Sequence, residues 1–403
     1  MPSRSFPSRL LVLPALGALV AALLVAPPVG AEHPGGRPPG HAGSKHGSKH
    51  GPTHGPTLEV LTQNLYLGSS LDPALDATTG VEFVAATAQI YGTAVASDPP
   101  RRLAAVADTI AATRPDLVGL QEVSRWTAVP VVAGASPPSY DFLALLLSEL
   151  AERGLSYRVA GVADNADIGP VPLVAPGFGC RTVSSPTSAD CVVSLQDRDV
   201  ILENTRTPGL RLGPPVTGRY AAQQSVPIPD AGGATLDFGR GWVHVDGSLR
   251  GARFRFLNTH LEVAGFAAVQ EAQARELLAG PARTRRQLVA VGDFNSPADR
   301  ASSTTSTYAD LTRRWFDDAW WINRTRPGFT CCQGGALSNP TSTLRTRIDL
   351  VLTRGIRRAR WAVVVGARPI ADPPPRWASD HAGVVAGLQL RAGDPRHRHH
   401  HPR

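Results

Sequence analysis

Leu288-Val289-Ala290-Val291-Gly292-Asp293-Phe294-Asn295 is an apolar run too short for a helix that stops at a glycine and then at an Asp-x-Asn pair. A strand covered on both faces reads as such a near-continuous apolar run. Its abrupt polar end is where a sheet can present side chains for chemistry. Asp293 and Asn295 point the same way if the segment stays extended, because side chains alternate along a strand. Working outward, the pattern recurs. Residues 58–61 run into Thr62-Gln63-Asn64, and Asp116-Leu117-Val118-Gly119-Leu120 ends at Gln121-Glu122. Phe254-Arg255-Phe256-Leu257 ends at Asn258-Thr259-His260, and Arg347-Ile348-Asp349-Leu350-Val351-Leu352 holds its acid inside the run. Ser379-Asp380-His381 precedes the apolar stretch 383–390. Between the first two, residues 102–113 place Leu103, Val106, Ala107 and Ile110 at helical spacing, which predicts a helix there.

Any one of these ends has a bland reading. An Asn or Glu after a strand is usually a turn former or a helix cap, and an Asp beside Gly is usually a turn. Together they are harder to dismiss. Of twelve histidines, nine lie in residues 32–57 and 396–403, leaving His244, His260 and His381 in the body. Two of these three stand at polar strand ends, which points to one shared site. His244, in Trp242-Val243-His244-Val245-Asp246, belongs to a strand pattern and reads as structural.

With 403 residues, 42% of them hydrophobic, the chain can bury a substantial core, which excludes a disordered or fibrous protein. The net charge of +8 would suggest a nucleic-acid binder, but it resides in the ends. Residues 1–31 and 32–57 each carry about +2 and residues 391–403 about +3, so 58–390 is close to neutral. Residues 1–31 read as a secretory signal: Arg4 and Arg9, an apolar run over 10–26, Pro27 and Pro28, then Val29-Gly30-Ala31, with cleavage expected near Ala31. An uncleaved anchor is the alternative, and no other run is long enough to span a bilayer, so no transmembrane segment is expected in the mature chain. Residues 32–57, rich in His, Gly and Pro, form a flexible linker, and residues 391–403 an Arg/His-rich tail of the same kind. A solvated spacer is the simple reading of both. Metal scavenging or attachment to an anionic surface is the other.

Four cysteines suit an exported protein. Cys180 and Cys191 flank a polar loop and can close a short disulfide ring. Cys331 and Cys332 are adjacent; they form a vicinal disulfide, stay reduced, or pair elsewhere. Neither pair has the spacing of a structural zinc site.

The ordered set Thr62-Gln63-Asn64, Leu120-Gln121-Glu122, Asn258-Thr259-His260, Gly292-Asp293-Phe294-Asn295, Arg347-Ile348-Asp349 and Ser379-Asp380-His381 resembles the endonuclease/exonuclease/phosphatase superfamily over about 320 residues. Secreted deoxyribonucleases, neutral sphingomyelinases and inositol polyphosphate phosphatases are among its members. The resemblance implies an α/β fold, a four-layer αββα sandwich of two packed mixed β-sheets flanked by helices, over residues 58–390. It also implies a metal-dependent phosphoester hydrolase. By the same resemblance Asn64, Glu122 and Asp380 hold the metal, His381 is the general base oriented by Asp349, and His260 is the acid or cation facing the leaving group. Asp293 and Asn295 would hold the nucleophilic water and a phosphoryl oxygen. Asp199, in Asp197-Arg198-Asp199-Val200-Ile201-Leu202, falls where members often carry an Asp or Asn beside an apolar strand, which by resemblance makes it a phosphate-positioning or a His-orienting residue.

The donor set favours Mg²⁺, with Mn²⁺ or Ca²⁺ as alternatives, because hard carboxylate and amide oxygens suit it and zinc would want more His or Cys. The expected activity is thus that of a secreted phosphodiesterase acting on nucleic acid. A sphingomyelinase-type lipid phosphodiesterase and an inositol or nucleotide phosphatase are the alternatives. Trp320-Trp321 is the stretch suggestive of membrane contact, with core as the default for at least one of them. A non-catalytic anion-binding protein of the same fold is the reading from another class, set against the full catalytic complement. No obligate protein partner is implied.

Overall fold

In a computed structural model of the chain, the described residues are 55–185, 188–299, 303–371 and 374–392. The expected signal, most of the linker and most of the tail lie outside them.

Two sheets pack face to face. The first has eight strands, ordered Arg358–Val365, Gly383–Gln389, Thr57–Asn64, Leu117–Gln121, Cys191–Asn204, Arg125–Pro130 and Tyr140–Asp141, with Tyr157–Pro172 also paired to Cys191–Asn204. The second has six, ordered Asp317–Asp318, Asp349–Arg354, Gln287–Asp293, Ala252–His260, Gly241–Leu249 and Leu210–Arg219. Each sheet has one parallel pair at its centre, Thr57–Asn64 with Leu117–Gln121 and Ala252–His260 with Gln287–Asp293. Every other pair is antiparallel. Both sheets are therefore mixed.

The apolar run 288–291 is covered on both faces. Val289 and Val291 face the other sheet, in a cluster with Leu58, Val60, Leu117 and Val384. Leu288 and Ala290 face outward onto Leu277 of helix Ala267–Ala279 and Leu311 of helix Thr307–Arg314. On the far side, Val118 and Leu120 pack on Ile90 of helix Gly80–Ala96, on Leu103, Val106 and Ile110 of helix Pro99–Thr113, and on Leu146 of helix Phe142–Glu152. The expected four layers are present. No helix among the described residues is long and apolar enough to cross a membrane.

Helix Pro99–Thr113 starts three residues before the apolar periodicity does. Pro99 and Pro100 fit a first turn whose N–H groups are unpaired anyway, and the Asp98 side chain accepts from the Arg101 N–H at 3.4 Å. Cys180 and Cys191 form the expected disulfide, with Cα atoms 5.5 Å apart. Cys331 and Cys332 are bonded to each other. His244 is buried in strand Gly241–Leu249 and stacked on Trp242 at 5.6 Å, which fits a structural role. Trp320 is core, its Nε1 donating to Arg326 O at 2.7 Å, whereas Trp321 is 47% exposed.

Candidate active site

The sheet topology explains why six separated motifs meet. The two central parallel pairs end at the same edge of the sandwich, and the antiparallel strands Asp349–Arg354 and Gly383–Gln389 begin there. Register does the rest. Asn64 lies opposite Gln121, His260 opposite Asp293, and Asp293 opposite Asp349. Three functional side chains thus occupy one row across three neighbouring strands of the second sheet.

At the centre stands Asp293 Oδ2. His260 Nε2 lies 3.6 Å from it, His381 Nε2 3.7 Å, and Asn64 Nδ2 donates to it at 3.1 Å. His381 Nδ1 sits 2.8 Å from Asp349 Oδ2, so a fully buried carboxylate orients the ring. Asn64 Nδ2 also donates to Glu122 Oε1 at 3.0 Å, bridging that carboxylate to Asp293. The Asn64 amide oxygen is engaged by the Tyr66 N–H at 2.8 Å, so its nitrogen, not its oxygen, faces the carboxylates. Glu122 Oε2 accepts from the Leu67 N–H at 2.7 Å.

The segment after Asp293 does not stay extended. Asn295 adopts φ +50°, and its N–H donates to Asp293 Oδ1 at 2.9 Å, a side-chain-closed turn. That turn, not strand alternation, returns Asn295 to the centre, where Nδ2 lies 3.1 Å from His260 Nε2. Gly292 has a reason of its own: at φ +154° a Cβ there would collide with the Thr259 carbonyl oxygen.

Asp199 is fully buried on strand Cys191–Asn204, at the margin of the site beside Asp197 and Arg240. Among the described residues its carboxylate oxygens have no hydrogen bond of good geometry, the neighbouring Asn165 side chain being the nearest polar group to favour its charge. Asp380 is half-buried and faces Glu122, Arg102 and Asp349.

Burial and crowding shift these groups. Desolvation first, then neighbouring carboxylates, raise Asp293 to about 6 and Asp380 to about 7. Glu122 rises through burial and the nearby Asp197, and Asp199 rises well above the usual range for the same two reasons. Burial opposes a charge on His381, but Asp349, Asp380 and Asp293 outweigh it and hold the ring well above its ordinary value. His260 goes the other way, lowered well below 6.5 by burial, by Arg240 and by His381.

Arg240 is the main residue that sequence reasoning missed. Its NH1 lies 3.0 Å from His260 Nδ1, and its NH2 3.3 Å from Glu262 Oε1. The guanidinium can only donate, so Nδ1 of His260 accepts and the ring is held neutral with its proton on Nε2, facing Asp293 Oδ2 and the Asn295 side chain. Arg102 was also missed as a site residue. Fully buried, it donates to Leu65 O at 2.8 Å and Ala378 O at 3.2 Å, tying the Asn64 and His381 segments together below Asp380. Conversely, some motif residues are structural. Asn258 Nδ2 donates across the sandwich to Leu120 O at 2.8 Å and Val200 O at 3.1 Å, while its Oδ1 accepts from Gln121. Arg347 pairs with Asp318 at 2.8 Å and lies over Trp320.

The residues fit a divalent cation. Glu122, Asp293, Asp349 and Asp380 bring four carboxylates together, and Asp349 Oδ1 is buried with no hydrogen-bond partner among the described residues. Asp293, Asp349 and His381 present ligand atoms within 4.8 Å of one another. An excess of buried negative charge of this kind is stabilised by a hard cation.

A family model described as the endonuclease/exonuclease/phosphatase family matches residues 61–381, from the first motif to the last. No curated protein matches the sequence. Among solved structures, the chain is similar to an endonuclease/exonuclease/phosphatase family protein from Leptotrichia buccalis, at 13% identity and TM-score 0.48 over 83% of this chain and 100% of that one. It is similar to an endonuclease/exonuclease/phosphatase from Beutenbergia cavernae, at 21% identity and TM-score 0.48 over 83% and 72% of the two chains. It is also similar to a mannosyl-6-phosphatase from Bacteroides thetaiotaomicron, at 15% identity and TM-score 0.48 over 82% and 99%. The match across all six motifs makes this chain a member of the endonuclease/exonuclease/phosphatase family, whose enzymes hydrolyse phosphoesters and typically depend on divalent metal.

Proposed function

We propose that the protein is an exported, Mg²⁺-dependent phosphodiesterase of nuclease-like type, with His381 as general base. The observation that carries the reading is the convergence of both imidazoles on Asp293 Oδ2, with one of them, His381, paired to the buried Asp349. Nδ1 of His381 is committed to Asp349, so Nε2 is free to take a proton from a water held near Asp293. Asn295, on its turn beside Asp293, hydrogen-bonds a phosphoryl oxygen. On the leaving-group side stand His260 and Arg240, the guanidinium supplying permanent positive charge and the imidazole a hydrogen bond. Asp199 helps place the phosphate. Glu122, Asp293 and Asp380, with Asn64 orienting the first two, would hold Mg²⁺. Bound there, the ion would neutralise phosphoryl charge and offset the carboxylates that keep His381 protonated. Export is supported by residues 1–31 and by the Cys180–Cys191 disulfide.

A second reading, a phospholipid phosphodiesterase, is favoured by one observation. Trp321, Ile322 and Phe329 are 47%, 44% and 43% exposed on the stretch that leads to Cys332 beside His381. The test is hydrolysis of a bis-aryl phosphodiester, the matching monoester, duplex DNA and sphingomyelin vesicles, in Mg²⁺ and in EDTA, by wild type and His381→Ala. Diester and DNA cleavage that needs both Mg²⁺ and His381 is the expected result. Cleavage of vesicles alone would establish the lipid reading, and cleavage of the monoester alone would overturn both.

A further inference from the structure

The adjacent cysteines lie beside the proposed base. Cys332 Sγ is 3.9 Å from His381 Nε2, the ring nitrogen not used by Asp349. Cys331 is buried and Cys332 exposed, so the pair is reachable from solvent. Backbone bonds hold their position. Cys331 donates to Thr346 O at 3.0 Å and accepts from the Arg345 N–H at 2.7 Å, and Thr343 Oγ1 donates to Cys332 O at 2.8 Å. Flanking residues tie the same segment to the His381 loop, through Ala382 N to Thr330 O at 2.7 Å and Gln333 N to Asp380 O at 2.8 Å. None of these bonds involves sulfur, so opening the disulfide leaves both cysteines facing His381.

We propose that the reduced pair, together with His381 Nε2, is a site for a thiophilic divalent cation such as Zn²⁺ or Cd²⁺. In the disulfide form Sγ of Cys331, Sγ of Cys332 and the imidazole lie within 4.8 Å of one another; once reduced, the two sulfurs need separate only to about 3.8 Å to share a tetrahedral ion with the imidazole at Zn–S bonds of about 2.3 Å, with the fourth position left to water. The pair is soft where the neighbouring carboxylates are hard, so the two sites select different ions. In the disulfide state the sulfurs are bonded to each other and no thiolate is available. A phosphine reductant converts the disulfide to two thiols, itself becoming the phosphine oxide with one water consumed. The cation then displaces three protons, one from each thiol and the one that the carboxylates hold on His381 Nε2, and binds both thiolates and the freed nitrogen lone pair. If His381 is the base proposed above, the same binding stops hydrolysis, so oxidation keeps the enzyme active and reduction exposes it to thiophilic metal.

The first measurement does not depend on activity. Purified full-length protein, oxidised or phosphine-reduced, is titrated with Cd²⁺ while the thiolate-to-cadmium charge-transfer band is followed, with free thiols counted in parallel. Reduced wild type is expected to show two reactive thiols and a band that saturates at one equivalent. Oxidised protein and Cys331→Ser/Cys332→Ser should show none, and His381→Gln should bind at least tenfold more weakly. Absence of the band when both thiols react would overturn the site. So would a band that survives in the double variant, or unchanged affinity in His381→Gln. Hydrolysis is then assayed with Zn²⁺: inhibition of reduced but not oxidised wild type is expected, with Cys331→Ser/Cys332→Ser resistant. Band formation without inhibition would leave the metal site intact and remove His381 from the role of base.

Discussion

Asp349 Oδ2, 2.8 Å from His381 Nδ1 and wholly buried, decides which His381 nitrogen meets the substrate. Replacing it with Asn keeps the shape but removes the charge and the tautomer preference. Asp349→Asn should lower kcat/KM by about 10²–10⁴-fold while leaving the fold intact, a loss read from steady-state kinetics beside circular dichroism. A loss below threefold would mean that His381 is oriented otherwise. Arg240 makes a different prediction. Its partner Glu262 is 3% exposed, and Arg240→Ala strands that carboxylate, costing about 3 kcal/mol in urea unfolding in addition to activity. The contrast shows what a sequence can disclose at this scale. Asp349 stands inside an apolar run, where an acid is conspicuous. Arg240 lies 20 residues before His260 in a Gly-Arg-Gly stretch that looks like any turn, and only strand pairing brings it to the ring.

Between strands, register carries the chemistry. His260, Asp293 and Asp349 form one row only because Ala252–His260 and Gln287–Asp293 approach closely at Gly292, where a Cβ would strike the Thr259 carbonyl. Gly292→Ala should therefore cost at least about 2 kcal/mol in urea unfolding and lower kcat/KM in the remaining folded protein. Unchanged activity at full stability would break the link between register and site. His244, in the neighbouring strand, adds a pH signature. Burial, then Arg255, holds it at about 4 against 6.5 when unfolded, so as pH falls the unfolded chain binds the proton first. Its contribution is complete above pH 6.5, is lost between 6.5 and about 4, and is level below that. Wild type should lose about 1–2 kcal/mol more than His244→Gln between pH 7.5 and 4.5, and parallel stability profiles would contradict this. The six site-bearing strands were legible because an apolar run ending in chemistry is an unusual pattern. Strand Leu210–Arg219 was not, since Gly213, Pro214 and Pro215 have the composition of a turn; proline is tolerated on an edge strand, where one side of the backbone is outside the ladder.

Across the molecule, two sheets with the same plan, a central parallel pair flanked by antiparallel neighbours, place their functional ends at one edge. Periodicity alone could not have shown this, because it reports which strands are buried and not how sheets stack. The ordered motifs supplied the architecture and the carboxylates, while the charge count only placed the net positive charge in the tails. Those carboxylates make the last prediction. Asp293 and Asp380, raised to about 6 and about 7 by burial and by each other's neighbours, hold protons in the folded metal-free protein that the unfolded chain has already released. Their folded values exceed the unfolded 3.8, so the metal-free protein loses stability from this source as pH rises through the window from about 4 to about 7. A divalent cation competes with those protons, so its binding strengthens over the same window. The increase in melting temperature between EDTA and saturating Mg²⁺ should be small at pH 5 and grow toward pH 8, with Asp293→Asn and Asp380→Asn each flattening the rise. An increase that is equal at both pH values, or that survives in both variants, would place the cation away from this edge of the sandwich and leave the buried carboxylates without the partner their burial requires.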